Sequence, residues 1–96
     1  MLRPFLLVFN QADGSRQDIL DYFDTCREVK HWYAVLPAAI FIISDTDAHA
    51  LSELFRRKYP KRFFIITEVP KGGNNGWLVQ KCWDFINHPI SSGRWP

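Results

Sequence analysis

The segment spanning residues 63–89 constrains the fold of this chain more than any other. It begins with consecutive apolar, aromatic or β-branched residues at 63–67, which predict a strand buried on both faces. Residues 71–76, rich in glycine and asparagine, then interrupt regular structure. From Leu78 onward the apolar residues recur with helical spacing, and we expect Asn74 or Asn75 to cap this helix. Pro89 ends it, because the residue before a proline avoids the α region.

Five further segments have the period of a strand or a helix. Strands are predicted over residues 4–9, 31–36 and 39–43, and helices over residues 16–28 and 48–58. We expect Ser15 to cap the first helix, and Thr46 or Asp47 to cap the second. Only Pro37 and Ala38 separate two of the strands, so these strands are predicted to form a hairpin.

In chain order these elements read β-α-β-β-α-β, followed by a third helix. This is the order of the ferredoxin-like α+β fold, with one four-stranded antiparallel sheet and helices on one face. Either the third helix or a second protomer must then cover the opposite face. We therefore predict a single domain over residues 1–89. Residues 90–96 form a tail that is either flexible or anchored to a neighbouring chain through Trp95.

Aromatic residues make up 16% of the sequence, which is a large share for 96 residues. Some of them are expected to cover an interface, and a symmetric homodimer is the commonest way to do this. Trp77 and Trp83 lie six positions apart, so they fall on different sides of a helix. One of them is expected in the core and the other on the oligomer surface. Trp77 and Trp95 are our interface candidates.

The cysteines and the absence of long apolar runs bear on the compartment. Cys26 and Cys82 both fall on apolar helical stripes, as small buried residues in a reducing compartment do. We recognise no signal peptide and no run of roughly 20 apolar residues, the length needed to span a membrane. We expect a cytoplasmic protein with no membrane partner.

Charge is distributed unevenly along the chain. Residues 1–50 contain four basic and seven acidic residues, whereas residues 51–96 contain eight basic and three acidic ones. The densest cluster predicts a surface that contacts the phosphates of DNA or RNA while an aromatic ring stacks on a base. Its members are Arg56, Arg57, Lys58, Tyr59, Lys61 and Arg62. The alternatives are a solvated helix end, where basic residues favour the negative pole of the helix dipole, and a docking site for an acidic protein.

Several local patterns together resemble one known family. They are a short first strand that runs into a loop containing Asn10 and Asp13, the strand beginning His31-Trp32-Tyr33, residues 39–47, residues 63–69, Asn75-Gly76-Trp77-Leu78 and Trp83-Asp84-Phe85-Ile86. With these patterns the chain resembles, over residues 5–87, the SinR-family small bacterial proteins. That family is similar in fold to the CRISPR adaptation endonuclease-like ferredoxin-fold group. The resemblance implies a ferredoxin-like fold and a dimer.

The endonuclease-like relatives also imply a metal site. In them an aspartate at the end of the first strand binds a divalent metal at the dimer axis. Here that position is Asn10, which keeps a carbonyl oxygen but lacks the negative charge that Mg²⁺ favours. Asp13 could substitute only if its loop folds back. A metal-dependent nuclease that uses Asn10 and Asp13, with Mg²⁺ as a possible cofactor, is the alternative function that this resemblance implies.

Our leading hypothesis from the sequence is a non-enzymatic, dimeric module that needs no cofactor. It binds nucleic acid, or a protein that processes nucleic acid, through residues 56–62. A third hypothesis is a protein-interaction subunit or inhibitor whose aromatic surface binds a partner.

Overall fold

The computed structural model describes residues 1–11 and 16–95. Its strands are β1 (Arg3–Phe9), β2 (His31–Leu36), β3 (Ala39–Ser44) and β4 (Phe64–Glu68). Its helices are α1 (Arg16–Phe23), α2 (Ala48–Lys58) and α3 (Gln80–Asn87). The strands form one sheet in the order β2-β3-β1-β4, and every adjacent pair is antiparallel. The ferredoxin-like α+β fold with an additional C-terminal helix is therefore confirmed.

The sheet carries a hydrophobic core on each face. Side chains alternate along β1, so Phe5, Leu7 and Phe9 face one core together with the apolar residues of α1 and α2. On the opposite face, Phe41 and Ile43 of β3 pack against the apolar stripe of α3. The third helix thus covers much of the face that α1 and α2 leave open. Among the described helices, none is long and apolar enough to cross a membrane.

The prediction that β4 is buried on both faces is wrong. The strand lies at the edge of the sheet and pairs only with β1. Phe64 and Ile66 pack against the first core, whereas Phe63 and Ile65 on the other side are 82% and 61% exposed. The continuous apolar run reflects an edge strand whose Phe64 and Ile66 are partly buried against the first core and whose other face is exposed.

The predicted end of the first helix needs correction. Helix α1 ends at Phe23 rather than at residue 28, because Thr25 and Cys26 bond back to the Tyr22 carbonyl and turn the chain. Cys26 is therefore buried in a turn rather than on a helix. Ser15 lies outside the described residues.

The start of α3 also differs from the prediction. Val79, not an asparagine, is its N-cap and makes no side-chain cap hydrogen bond. Asn74 instead donates to the Pro70 carbonyl, and the side-chain oxygen of Asn75 accepts from the Gly76 amide. Both asparagines stabilise the loop before the helix and leave the helix N-terminus uncapped.

Two other helix boundaries are confirmed. Helix α2 has the predicted bounds, and its N-cap Asp47 accepts a hydrogen bond from the Ala50 amide at 2.8 Å. Helix α3 ends with His88 as its C-cap, directly before Pro89. The following tail contacts its own chain, where the Ser92 amide donates to the Lys30 carbonyl at 2.8 Å.

Candidate nucleic-acid interface

The basic segment lies where α2 ends and the chain turns toward β4. Burial of Leu51, Leu54 and Phe55 fixes the rotation of α2 about its axis. The three basic residues of its last turn, Arg56, Arg57 and Lys58, consequently lie exposed on its outer side. Cations at this position are favoured by the negative pole of the helix dipole. The interface candidate therefore begins on a rigid element.

A tight turn follows the helix. The Tyr59 amide donates to the Phe55 carbonyl at 3.0 Å, and the Arg62 amide donates to the Tyr59 carbonyl at 3.3 Å. Lys61, between these two bonded residues, is exposed. The structure thus brings four of the five predicted cations to one exposed surface.

Arg62 occupies a different environment from the other four cations. It is 7% exposed, and its Nε and Nη2 donate to the main-chain oxygen of Asn10 at 3.3 and 3.1 Å. Its guanidinium also lies over the rings of Phe9 and Tyr59, at 5.2 and 5.3 Å from the ring centroids. These contacts hold the end of β1 against the turn, so Arg62 supports the candidate surface from the interior of the domain.

Tyr59 serves to anchor the same turn. Its ring packs edge-on against the Tyr22 ring, with 6.2 Å between the ring centroids. It packs at a tilt against the Phe55 ring, with 5.0 Å between the centroids. Its hydroxyl oxygen is buried and has no hydrogen-bond partner among the described residues. Burial raises the pKa of Tyr59, as does the nearby Asp18 carboxylate, whereas Arg62 opposes the shift. The phenol is therefore neutral near pH 7, and its ring packs within the domain against Tyr22 and Phe55.

Three shallow concavities meet at this turn. One of about 330 Å³ lies beside Arg56 and Arg57, and one of about 350 Å³ lies beside Lys58 and Lys61; Pro60 lines both. The cations therefore flank Pro60 on two sides. The exposed Glu53 carboxylate lies 4.0 Å from the Arg56 guanidinium, and an exposed ion pair at that distance neutralises the cation only weakly.

The third concavity has the opposite charge on one wall. It measures about 510 Å³, and its lining includes Asp18 and Asp21 of α1 as well as Lys58 and Tyr59. Both carboxylates are exposed. A polyanion is repelled from this side of Lys58, so the favourable surface extends away from α1 toward Lys61 and the start of β4.

Phe63 lies next to the basic cluster in the sequence, and its exposure at this surface is what the sequence pattern did not predict. Its main-chain oxygen accepts a hydrogen bond from the Asn10 amide at 3.2 Å, while its ring is 82% exposed. The sequence placed Phe63 inside a buried strand. A signal was nevertheless present, because a strand that directly follows Lys61 and Arg62 is more typical of a sheet edge than of its centre.

The nuclease candidates Asn10 and Asp13 are placed only in part. The main-chain amide and oxygen of Asn10 are bonded to Phe63 and Arg62, so a guanidinium lies beside the end of β1. A positive charge at this point opposes the binding of a divalent cation to the side-chain oxygen of Asn10. Asp13 lies outside the described residues. Within residues 1–11 and 16–95, no group of three or more His, Cys, Asp or Glu side chains is arranged to hold a metal.

The two interface candidates lie in contrasting environments. Trp77 is 98% exposed and borders an apolar groove of about 280 Å³, whose lining includes Leu6, Phe41 and Trp83. Trp83 is partly buried against the second core, as expected for one tryptophan of the pair. Trp95 is also partly buried, with the Arg27 guanidinium 5.3 Å from its ring centroid.

The two thiols are poor nucleophiles. Cys26 and Cys82 are free, and they belong to the cores on opposite faces of the sheet. Burial raises the pKa of both thiols, so little thiolate forms near pH 7.

Comparison of the chain with protein-family models, with curated proteins and with solved structures gave no match.

Proposed function

We propose that this domain is a non-enzymatic module that binds the phosphate backbone of nucleic acid through Arg56, Arg57, Lys58 and Lys61. One observation carries the proposal. These four cations are exposed on two sides of Pro60, on a turn that Arg62 and Tyr59 hold in place. A cation on a rigid support loses less conformational freedom on binding than one on a mobile loop.

The number of exposed cations sets the strength and salt dependence of such binding. Each phosphate that a cation neutralises releases condensed counterions, so affinity falls as salt rises. Four neutralised phosphates correspond to a slope of log affinity against log salt of about −3.6 for duplex DNA and about −2.8 for a single strand. Arg62 adds nothing to this slope, because its guanidinium faces Asn10, Phe9 and Tyr59.

The test is a fluorescence anisotropy titration of labelled DNA and RNA at two salt concentrations. Lys61→Glu is expected to weaken binding severalfold. It is also expected to make the slope of log affinity against log salt shallower by the contribution of about one phosphate contact. Lys71→Glu is the matched control, because Lys71 is also exposed but follows the opposite end of β4. Equal effects of the two variants, or wild-type affinity without salt dependence, would refute the proposed surface.

The same titration separates the alternative partners. An acidic protein that processes nucleic acid would meet the same cations, and it would bind in a Lys61-dependent way while free DNA and RNA do not. Adding Mg²⁺ tests the nuclease alternative, which requires cleavage that disappears in Asp13→Ala.

The homodimer is the second element of the proposal, and the exposure of Trp77 beside an apolar groove favours it. A second copy that covers this region would bury both the indole and the groove, which water otherwise contacts. Sedimentation equilibrium is expected to give a dimer for the wild type and a monomer for Trp77→Ser. A wild-type monomer at high micromolar concentration would contradict this part of the proposal.

A further inference from the structure

Phe63 is fixed at its main chain and exposed at its ring. The Asn10 amide bonds to its carbonyl oxygen at 3.2 Å, which continues the pairing of β1 and β4 by one residue. The next residue, Phe64, points to the other face of the sheet, where its ring lies 4.6 Å from that of Phe55. One phenylalanine thus supports the core, while its neighbour stands in water on the opposite face.

The exposed ring is part of a short apolar strip that α3 leaves uncovered. Ile65, two residues along the same face, is 61% exposed, and its register partner Val8 on β1 is 41% exposed. Burial of these side chains is incomplete because α3 packs over β1, β2 and β3 near Leu6, Tyr33 and Phe41 rather than over this edge of the sheet. The strip is therefore available to a partner.

The strip adjoins the cationic surface. Only Arg62 separates Lys61 from Phe63, so the Cα atoms of these two residues are at most about 7 Å apart. Arg62 is itself held by Asn10, so the positions of both neighbours are restrained. An exposed cation and an exposed aromatic residue are consequently only two positions apart at the start of β4.

We propose that Phe63 stacks on an unpaired base of single-stranded nucleic acid whose phosphates contact Lys61 and the neighbouring cations. This inference rests on the proposed function and names its substrate class. In a duplex the base faces are already stacked on each other, so only a single strand or a loop offers a face to the ring. Charge complementarity favours this occupant over an uncharged apolar protein segment. The stacking is tolerant of sequence, because every base has a π face.

The experiment compares a labelled oligothymidine with a mixed-sequence duplex of equal length, using the full chain. Phe63→Ala is expected to weaken single-strand binding by about 5- to 30-fold and to change duplex binding less than about twofold. The salt slope stays unchanged, since no charge is removed. Phe63→Tyr keeps a stacking ring and is expected to retain wild-type affinity. Ile90→Ala is the matched control, because Ile90 is a 65% exposed apolar residue beyond α3.

The outcomes separate this inference from the proposed function. If Lys61→Glu weakens single-strand binding and Phe63→Ala does not, the stacking role is refuted and the phosphate surface stands. If Phe63→Ala weakens single-strand and duplex binding equally, the ring is not reading unpaired bases and the inference fails. If the wild type binds neither probe at low salt, the proposed function itself is overturned. Thermal unfolding of each variant verifies folding, which the removal of an exposed ring leaves nearly unchanged.

Discussion

Replacement of Arg62 by alanine is predicted to destabilise the domain strongly, although Arg62 belongs to a cluster of surface cations in the sequence. Its guanidinium makes two hydrogen bonds to the Asn10 oxygen and lies over the rings of Phe9 and Tyr59. Alanine removes all of these interactions at once. It also exposes the junction between β1 and the turn after α2 to water.

The size of the effect follows from the hydrogen bonds and ring interactions of the guanidinium. Hydrogen bonds from a charged donor contribute about 1.5–3 kcal/mol, and each cation–π interaction adds about 0.5–1 kcal/mol. These contributions are not additive for neighbouring groups, so we expect the free energy of unfolding to fall by about 2–4 kcal/mol. For a domain of this size such a change lowers Tm by roughly 10–30 °C.

Urea unfolding followed by far-UV circular dichroism measures this change directly. Lys61→Ala is the matched control, because it removes one cation from the adjacent exposed position and is expected to change stability by less than about 0.5 kcal/mol. Arg62→Lys keeps the charge but not the forked donor, so it is expected to fall between wild type and alanine. A destabilisation below about 0.5 kcal/mol in Arg62→Ala would refute the structural role of this residue.

Four other groups, namely His31, Asp47 and the two thiols, give predictions that follow from burial and capping. The pKa of His31 is lowered by burial, with Lys81 and Arg94 adding to the shift. As pH falls, the unfolded chain therefore binds the proton before the folded one does. The free energy of unfolding is expected to fall as pH drops below about 6.5, by less than the limiting ~1.4 kcal/mol per pH unit. Urea midpoints between pH 7.5 and 5.5 measure this, and His31→Gln is expected to flatten the trend. Asp47→Ala removes the cap of α2 and is expected to cost about 1 kcal/mol in urea unfolding. The buried thiols, whose pKa values are raised, are expected to react with a disulfide reagent much more slowly in folded than in unfolded protein.

Each of these predictions has a clear contrary result. An unchanged pH trend in His31→Gln would mean that other groups govern acid destabilisation. Asp45→Asn, at an exposed position beside the cap, is the control for Asp47→Ala, and equal destabilisation in both would remove the capping argument. Thiol labelling as fast in the folded as in the unfolded protein would contradict the burial of both cysteines.

The periodicity of the sequence was sufficient to predict the order of the elements but not the environment of each strand. Alternation and helical spacing are local properties, and they located β2, β3 and α2 closely. The position of β4 at the sheet edge depends on which strands pair, and a run such as residues 63–67 has the same composition at an edge or in the centre. The early end of α1 depends on hydrogen bonds to the Tyr22 carbonyl, which no helical period reveals.

The candidate surface was predictable in its charge and unpredictable in its geometry. A dense basic segment was evident from the sequence. The separate role of Arg62 depends on Asn10, which lies 52 positions earlier in the chain and is brought beside it by the pairing of β1 with β4. The exposure of Phe63 depends on how far α3 extends over the sheet, and that extent is set by packing against β1, β2 and β3 rather than by any local pattern.

The acidic residues of α1 and the basic residues around Pro60 together determine the direction in which a nucleic-acid strand would cross the surface. The acidic outer side of α1 brings Asp18 and Asp21 to the concavity that also contains Lys58, so phosphates on that side meet repulsion. Arg56 and Arg57 lie on one side of Pro60, and Lys61 lies on the other, beside Phe63. A bound strand is therefore expected to run from the last turn of α2 over Pro60 to the edge of β4. Removing the carboxylate in Asp21→Asn should strengthen binding slightly without changing the preference for a single strand, because the acidic wall repels every polyanion alike, whereas the proposed stacking on Phe63 requires an unpaired base.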